Sequence, residues 1–564
     1  MQKNCKQCGI NFEVTDEDLQ VYKKFTFKID RKIFEIPPSK LCPDCCAQRR
    51  MAFANQINLY KRKCDGTGKE IVSNYSPDKK NIVYDVSYWF SDAWDQFSTG
   101  MYFDFSRSFF EQFEELIKIA PRPNLQRNPE YDENADFTNY AGKNKNCYLI
   151  FDSDKNRDCY YSYSINSCEN TVDCFRSENC EICYECIDCR KCYKSISLQN
   201  CTNCNDSAFL KNCISCKNCF GSMNLRSKEF YFLNEKCTKE EYEKKMEAVK
   251  FNTFSGLKNM QTKFSKFLKK FPHKYMEGVQ NENVFGNYLT NCKNAEYCFD
   301  SRNLWDCKFI TQAFDNAKDC MNCTEIGDGV ELFYESCYSG YNGNSLKFTS
   351  HSLGQVYNLT YCYFCPNCSD CFGCFGLRKT KYCIFNKKYT KEEYEQLVPK
   401  IIEHMQNTGE WGEFFPVRIS PFCYNETHAQ DYFPLTKEAV LKRGWKWKEN
   451  DNTIPKVDKI IPANKLPDDI KDIPDDILNW AIRCEVTNKP YKIIPQELKF
   501  YRDHNLPIPR RHPDQRHKDR MSLRNPRKLW SRNCDKCTKE IQTTYSPERP
   551  EKVLCEECYL KEVY

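Results

Sequence analysis

The sequence predicts an α+β multidomain protein. Terminal zinc-ribbon or treble-clef-like modules flank a Cys-rich, β-solenoid-like middle with helical connectors. Three observations carry this expectation. Of 564 residues, 39 are cysteine, many spaced C-x-x-C. A stretch near the start recurs near the end. A second, shorter repeat fills the middle.

The length exceeds what one hydrophobic core supports, so several domains are expected. Mean hydropathy is −0.76, yet 15% of residues are aromatic, which disordered chains lack. No apolar h-region follows Met1, and no apolar run is long enough to span a bilayer. The expectation is a cytoplasmic protein without a membrane partner. In a reducing compartment, C-x-x-C pairs indicate metal ligands or buried thiols rather than disulfides.

The repeat at the ends is read directly. Cys64-Asp65, Lys69-Glu70-Ile71, Tyr75-Ser76-Pro77 and Val83 recur 470 positions later as Cys534-Asp535, Lys539-Glu540-Ile541, Tyr545-Ser546-Pro547 and Val553. Upstream, Pro43-Asp44, Arg50-Met51 and Asn55 match Pro513-Asp514, Arg520-Met521 and Asn525. Cys5 pairs with Cys484, and Tyr22 with Tyr501, after a length change. Each copy has places for two four-ligand sites and keeps one. The leading site of the first copy is complete: Cys5, Cys8, Cys42 and Cys45. Its trailing site reads Cys64, Thr67, Asp85 and Tyr88. The second copy is the reverse: Cys484, Thr487, His512 and Gln515, then a complete Cys534, Cys537, Cys555 and Cys558. Structural zinc takes four N or S ligands in a closed tetrahedron. Two zinc ions per chain are therefore expected. Cys46 is a spare thiol beside Cys45, and the matching spacing favours Cys45.

The trailing module, C-x2-C-x17-C-x2-C, resembles the small bacterial zinc-ribbon family named for that spacing, over residues 534–558. The whole layout resembles a group of Cys-rich bacterial zinc-ribbon proteins; that resemblance implies relatives and supplies no activity. Helical runs are expected after both second pairs, over residues 47–62 and 559–563. Units this small have little core, so bound zinc would supply much of their folding free energy.

In the middle, Cys213, Cys216, Cys219-Phe220-Gly221 and Thr238-Lys239-Glu240-Glu241-Tyr242 recur 152 positions later as Cys365, Cys368, Cys371-Phe372-Gly373 and Thr390-Lys391-Glu392-Glu393-Tyr394. Each block is closed by a helix with a capping box on Thr238 or Thr390. Inside the blocks an Asn/Asp-Cys token recurs at uneven intervals: Asp158, Asp173, Asn179, Asn200, Asn212, Asp306 and Asp319 each precede a cysteine. Asn and Asp tolerate tight left-handed corners, and cysteine is small enough to stack in a narrow coil. The pattern predicts a β-solenoid. The rival reading is an iron–sulfur cluster on Cys180, Cys183, Cys186, Cys189 and Cys192, but the Cys-Pro ending is absent.

The expected order is a zinc module over 1–90, an aromatic helical connector over 91–140, and solenoid block 1 over 141–237. A helical connector spans 238–282, block 2 spans 283–389, and a helical and irregular segment covers 390–448. A Pro-containing linker (449–478) leads to the second zinc module (479–564). Residues 106–119 and 258–270 have helical periodicity. The second is basic, and a solvated helix lying on the solenoid is preferred to an RNA-contacting one.

No catalytic motif stands out; the seven His are scattered, so a non-enzymatic protein is expected. The functional signal is basic clustering. Arg510, Arg511, Arg516, Lys518, Arg520, Arg524, Arg527, Lys528 and Arg532, with Trp530, suit a phosphate backbone and a stacked base. Arg49, Arg50, Lys61, Arg62 and Lys63 follow the first site. The reading is a zinc-dependent protein contacting RNA or a ribonucleoprotein. A protein-interaction scaffold on the solenoid and a metal–sulfur redox protein are the alternatives.

Overall fold

The middle of the chain turns a corner every third residue. In the computed structural model, from Tyr140 to Leu233, every third residue has φ between 45 and 62°. Four such triplets close one coil of 12 residues, since parallel bridges run Glu133↔Lys145, Lys145↔Arg157 and Arg157↔Glu169. Each triplet contributes one inward residue, one extended residue and one left-handed corner. Backbone bonds join coil to coil: Arg190 N–H donates to the Cys201 carbonyl at 2.9 Å, and Asn203 N–H to the Arg190 carbonyl at 2.8 Å. The middle is thus a β-solenoid.

This geometry explains the Asn/Asp-Cys token. The Asn or Asp is the corner, and the cysteine after it is the next inward residue. Asp158, Asp173, Asn179, Asn200 and Asn212 all have positive φ. Their intervals, uneven at first sight, are all multiples of three. Cys180, Cys183, Cys186, Cys189 and Cys192 are successive inward positions, each at most 1% exposed. The interior is narrow, so its occupants must be small. Those with a donor also answer carbonyls at the coil wall. The Cys183 thiol has the carbonyls of Glu181 (3.4 Å) and Cys192 (3.5 Å) within reach of its one hydrogen. Ser195 does the same with Tyr193 and Cys204, so serine and cysteine interchange here. Among the described residues no cysteine is disulfide-bonded.

The second block follows the same rule with variable coils. Register steps are 11 residues at Gly278↔Leu289, 12 at Leu359↔Cys371 and 13 at Tyr334↔Lys347. The longer coils carry a fourth residue at one corner, as between Gln312 and Asn316 and between Glu325 and Gly329, all with positive φ. Buried Phe333 fits beside them because Gly340 and Gly343 lack side chains. A Cβ there would come within 2.6 and 2.9 Å of its ring.

The structure describes residues 1–449 and 456–563. The chain divides into two compact units. The first comprises Met1–Asn124, Lys274–Lys448 and Pro526–Arg549; the second comprises Leu125–His273, Glu449–Asn525 and Pro550–Tyr564. In the first unit the N-terminal copy packs on block 2: Tyr22 meets Tyr334 edge-on at 5.5 Å. The Phe109–Ile119 helix, capped by Ser108, buries Phe109 against Tyr361 and Phe372. In the second unit, residues of the other copy pack on block 1: Tyr501, the counterpart of Tyr22, meets Tyr184 at 5.8 Å. Thr238 and Thr390 both form the expected capping boxes.

The expected linker differs from the sequence reading. Residues 450–455, Pro455 among them, lie outside the described residues. Beyond them, Lys459–Pro462 is a strand parallel to Trp480–Arg483. Ile461, Leu466, Ile470, Ile473 and Ile477 are buried in the core of the second unit. The prolines there separate short 3-10 turns whose isoleucines face inward, rather than extending a solvated spacer. No helix among the described residues is long and apolar enough to cross a membrane.

Candidate metal centres

Four knuckles share one backbone. In each, the first cysteine's N–H donates to the carbonyl five residues on, and the N–H four residues on donates to the cysteine's carbonyl. The pairs are Cys5 with Ile10 and Gly9, Cys64 with Lys69 and Gly68, Cys484 with Lys489 and Asn488, and Cys534 with Lys539 and Thr538. The fifth residue has positive φ in every case. The turn therefore persists where the ligands have gone.

Two of the four knuckles complete a metal site. The sulfurs of Cys5, Cys8, Cys42 and Cys45 all lie within 4.8 Å of one another, as do those of Cys534, Cys537, Cys555 and Cys558. Cys8 and Cys42 sulfurs are 3.7 Å apart. A tetrahedron with metal–sulfur bonds of about 2.3 Å has edges near this length, so the residues fit a four-thiolate ion. In both sites the second cysteine is exposed and the other three are buried. Cys42 is the N-cap of the Pro43–Met51 helix, where the helix end favours a thiolate. Its thiol is pulled down to about 6, chiefly by the hydrogen bond from Cys45.

At the two degenerate sites, other side chains take over the positions. Asp85 and His512 stand where Cys555 and Cys42 stand in the intact sites. Each caps the following helix: Asp85 Oδ1 accepts from Ser87 N–H at 3.0 Å, and His512 Nδ1 from Asp514 N–H at 3.1 Å. Burial pushes His512 down to about 4, which keeps the ring an acceptor. Tyr88, the counterpart of Cys558, leans over the old knuckle, where a Cβ on Gly66 would lie 2.4 Å from its ring. Tyr84 and Trp94 complete an edge-to-face cluster at 5.1 and 5.5 Å. Ring packing fills the place beside this knuckle. Among the described residues only the two complete sets form such a group.

The basic residues of the second copy turn largely inward. Arg516 and Arg520 grip the two oxygens of Asp173, a fully buried corner residue of block 1. Arg516 also meets Glu497 at 3.3 Å. Arg524 pairs with Asp188 at 2.7 Å. In the first unit, Arg527 pairs with Asp300 at 2.7 Å. Arg511 bridges Glu485 and Asp519, Arg510 lies 4.1 Å over the Phe254 ring, and Arg532 donates to the Ser546 carbonyl. Lys518 and Lys528 are exposed and Trp530 is half-buried. The first copy does likewise: Arg50, the counterpart of Arg520, pairs with buried Glu335 at 2.9 Å, and Arg49 with Glu413 at 2.9 Å. Asp173, Asp188, Asp300 and Glu335 are all left-handed corners of the solenoid. Sequence reading found the arginines and missed these partners.

The first unit also has a cleft of about 740 Å³ lined by Tyr22, Lys23, Ile36, Pro37, Lys40 and Trp411 among others, with no cysteine or histidine in its wall.

No family model and no curated protein matches the chain. Among solved structures it is similar to a protein from Desulfovibrio desulfuricans G20 described as a "putative acetyltransferase". The identity is 9%, over 50% of this chain and 81% of that one, with a TM-score of 0.10. A likeness at that level carries no argument about fold or activity.

Proposed function

We propose that the protein is a non-enzymatic scaffold. Two zinc ions hold its terminal modules, the modules brace the solenoid blocks, and the blocks offer the binding surface. The observation that carries this reading is the use of the conserved pair of the duplication, Arg50 and Arg520: each is buried in an ion pair with a solenoid corner. Removing one partner of such a pair leaves an uncompensated buried charge, so the modules are built to grip the coils. The solenoid interior is filled by side chains, which leaves the outer faces for partners. The reading of residues 510–532 as a nucleic-acid surface retains Lys518, Lys528 and Trp530; its arginines already have partners within the chain.

Metal content and stability test it together. Two zinc ions per chain are expected. Cys42→Ser and Cys555→Ser should each remove one equivalent and lower the melting temperature. Cys64→Ser and Cys484→Ser should leave zinc content unchanged, since packing and capping have replaced their sites. If chelation strips the metal without lowering the melting temperature, the modules are not braces and the scaffold reading fails.

A further inference from the structure

Residues 248–273 contain six lysines and no acidic residue. They include the Phe254–Leu268 helix, capped by Thr253. Its apolar side is committed to the core of the second unit: Leu257 and Phe264 are buried, with Met260, Phe267 and Leu268 packed beside them. Phe264 meets Phe209 of the solenoid at 5.8 Å. The opposite side carries Lys258, Lys263 and Lys266, and Lys269 and Lys270 follow in the turn at its C-terminal end, all exposed.

On several other helices an exposed lysine is matched by an acid one turn away: Lys118 with Glu114, Lys239 with Glu243, Lys391 with Glu395, Lys499 with Asp503 and Lys561 with Glu557. Here Lys258 lies 4.0 Å from Glu485. No carboxylate among the described residues lies within 4 Å of Lys263, Lys266, Lys269 or Lys270. Like charges three and four residues apart cost a helix a few tenths of a kcal/mol per pair. An anionic partner would reverse that cost.

We propose that the outer face of this helix docks the phosphate backbone of a nucleic acid. Lys263 and Lys266 are about one helical turn apart, and Lys270 follows in the turn beyond the helix end, so neighbouring phosphates can be met in sequence. Exposed Asn259 beside them offers a further donor of the kind that binds phosphate oxygens. An anionic membrane fits less well, because the apolar side that would enter lipid is already buried. A protein partner fits less well too. Its hot spots need aromatic or apolar anchors, and among the described residues no large hydrophobic is exposed between Ile214 and Val279. This inference goes beyond the scaffold reading and does not depend on it.

The test uses the full, zinc-loaded chain and a fluorescent 20-nucleotide single-stranded RNA, titrated at two salt concentrations. The variant is Lys263→Ala/Lys266→Ala/Lys270→Ala. The control, Lys391→Ala/Lys499→Ala/Lys561→Ala, removes equal charge elsewhere. All six side chains are exposed, and unchanged melting verifies folding. Wild type should bind with a strong salt dependence. The helix variant should bind more weakly, with a log–log salt slope shallower by about 2, while the control keeps most of the wild-type slope. Equal losses in both variants, or no salt-sensitive binding by wild type, would overturn the proposal. So would retention on phosphatidylserine vesicles without RNA binding, which would assign the face to membranes.

Discussion

His351 is a basic side chain held where burial disfavours its proton. It is 2% exposed and lies at a corner of block 2, stacked on Tyr338 at 5.0 Å and on Phe364 at 5.1 Å. Those rings belong to the coils on either side, 13 residues away in each direction. Ser350 Oγ lies 2.6 Å from its Nδ1. Burial pushes its pKa from 6.5 down to about 3. The unfolded chain binds a proton below pH 6.5, whereas the folded chain does not until about pH 3, so the unfolded state gains as pH falls between those values. The loss is roughly 1.4 kcal/mol per pH unit in that window. His351→Phe keeps a ring in the stack and removes the titration. Urea unfolding at pH 7 and pH 5 should show a smaller acid loss in the variant than in wild type. An identical pH dependence would mean that His351 is protonated in the folded chain.

The solenoid coil is the element in which cysteine has its main structural use, and its signal was only half legible in the sequence. The Asn/Asp-Cys tokens stood out because corners favour Asn and Asp and the interior favours cysteine. The period of three was obscured, because Ser, Thr, Leu and Ile share the inward positions and Lys, Glu, Tyr and Phe also occupy corners. The extra corner residues of block 2 blur it further. The two four-cysteine clusters were legible, since four cysteines at fixed spacing suffice to bring four sulfurs together. The capping roles of Asp85 and His512 were not, because a lost ligand looks like random drift until the helix behind it is seen. If the inward cysteines are packing and not coordination, Cys186→Ala should cost about 1–2 kcal/mol and leave metal content at two ions per chain. An iron signal in wild type that this change abolishes would restore the cluster reading.

At the scale of the whole molecule, the duplicated ends are used alike: each docks its copy of one tyrosine and one arginine on a solenoid block. The sequence showed the density of positive charge in residues 510–532 but not its destination, because Asp173 lies 343 residues from Arg516 and 347 from Arg520. Charge alone cannot tell a surface for phosphate from one half of a buried ion pair; only the fold brings the carboxylate to it. The distinction is measurable at Asp173. This side chain is fully buried and holds two guanidinium groups, and arginine cannot shed its proton to relieve an unpaired charge. Asp173→Ala should therefore cost about 3–5 kcal/mol, read as a lower urea midpoint. Arg516 would keep Glu497 at 3.3 Å and the Tyr501 hydroxyl at 3.2 Å, so Arg520 would bear most of the loss. Adding Arg520→Met to Asp173→Ala removes the stranded charge and should recover part of the stability. A single-variant cost below about 1 kcal/mol, the range of solvent-exposed pairs, would mean that these arginines open to solvent. In that case, residues 510–532 would again be the first place to look for a bound polyanion.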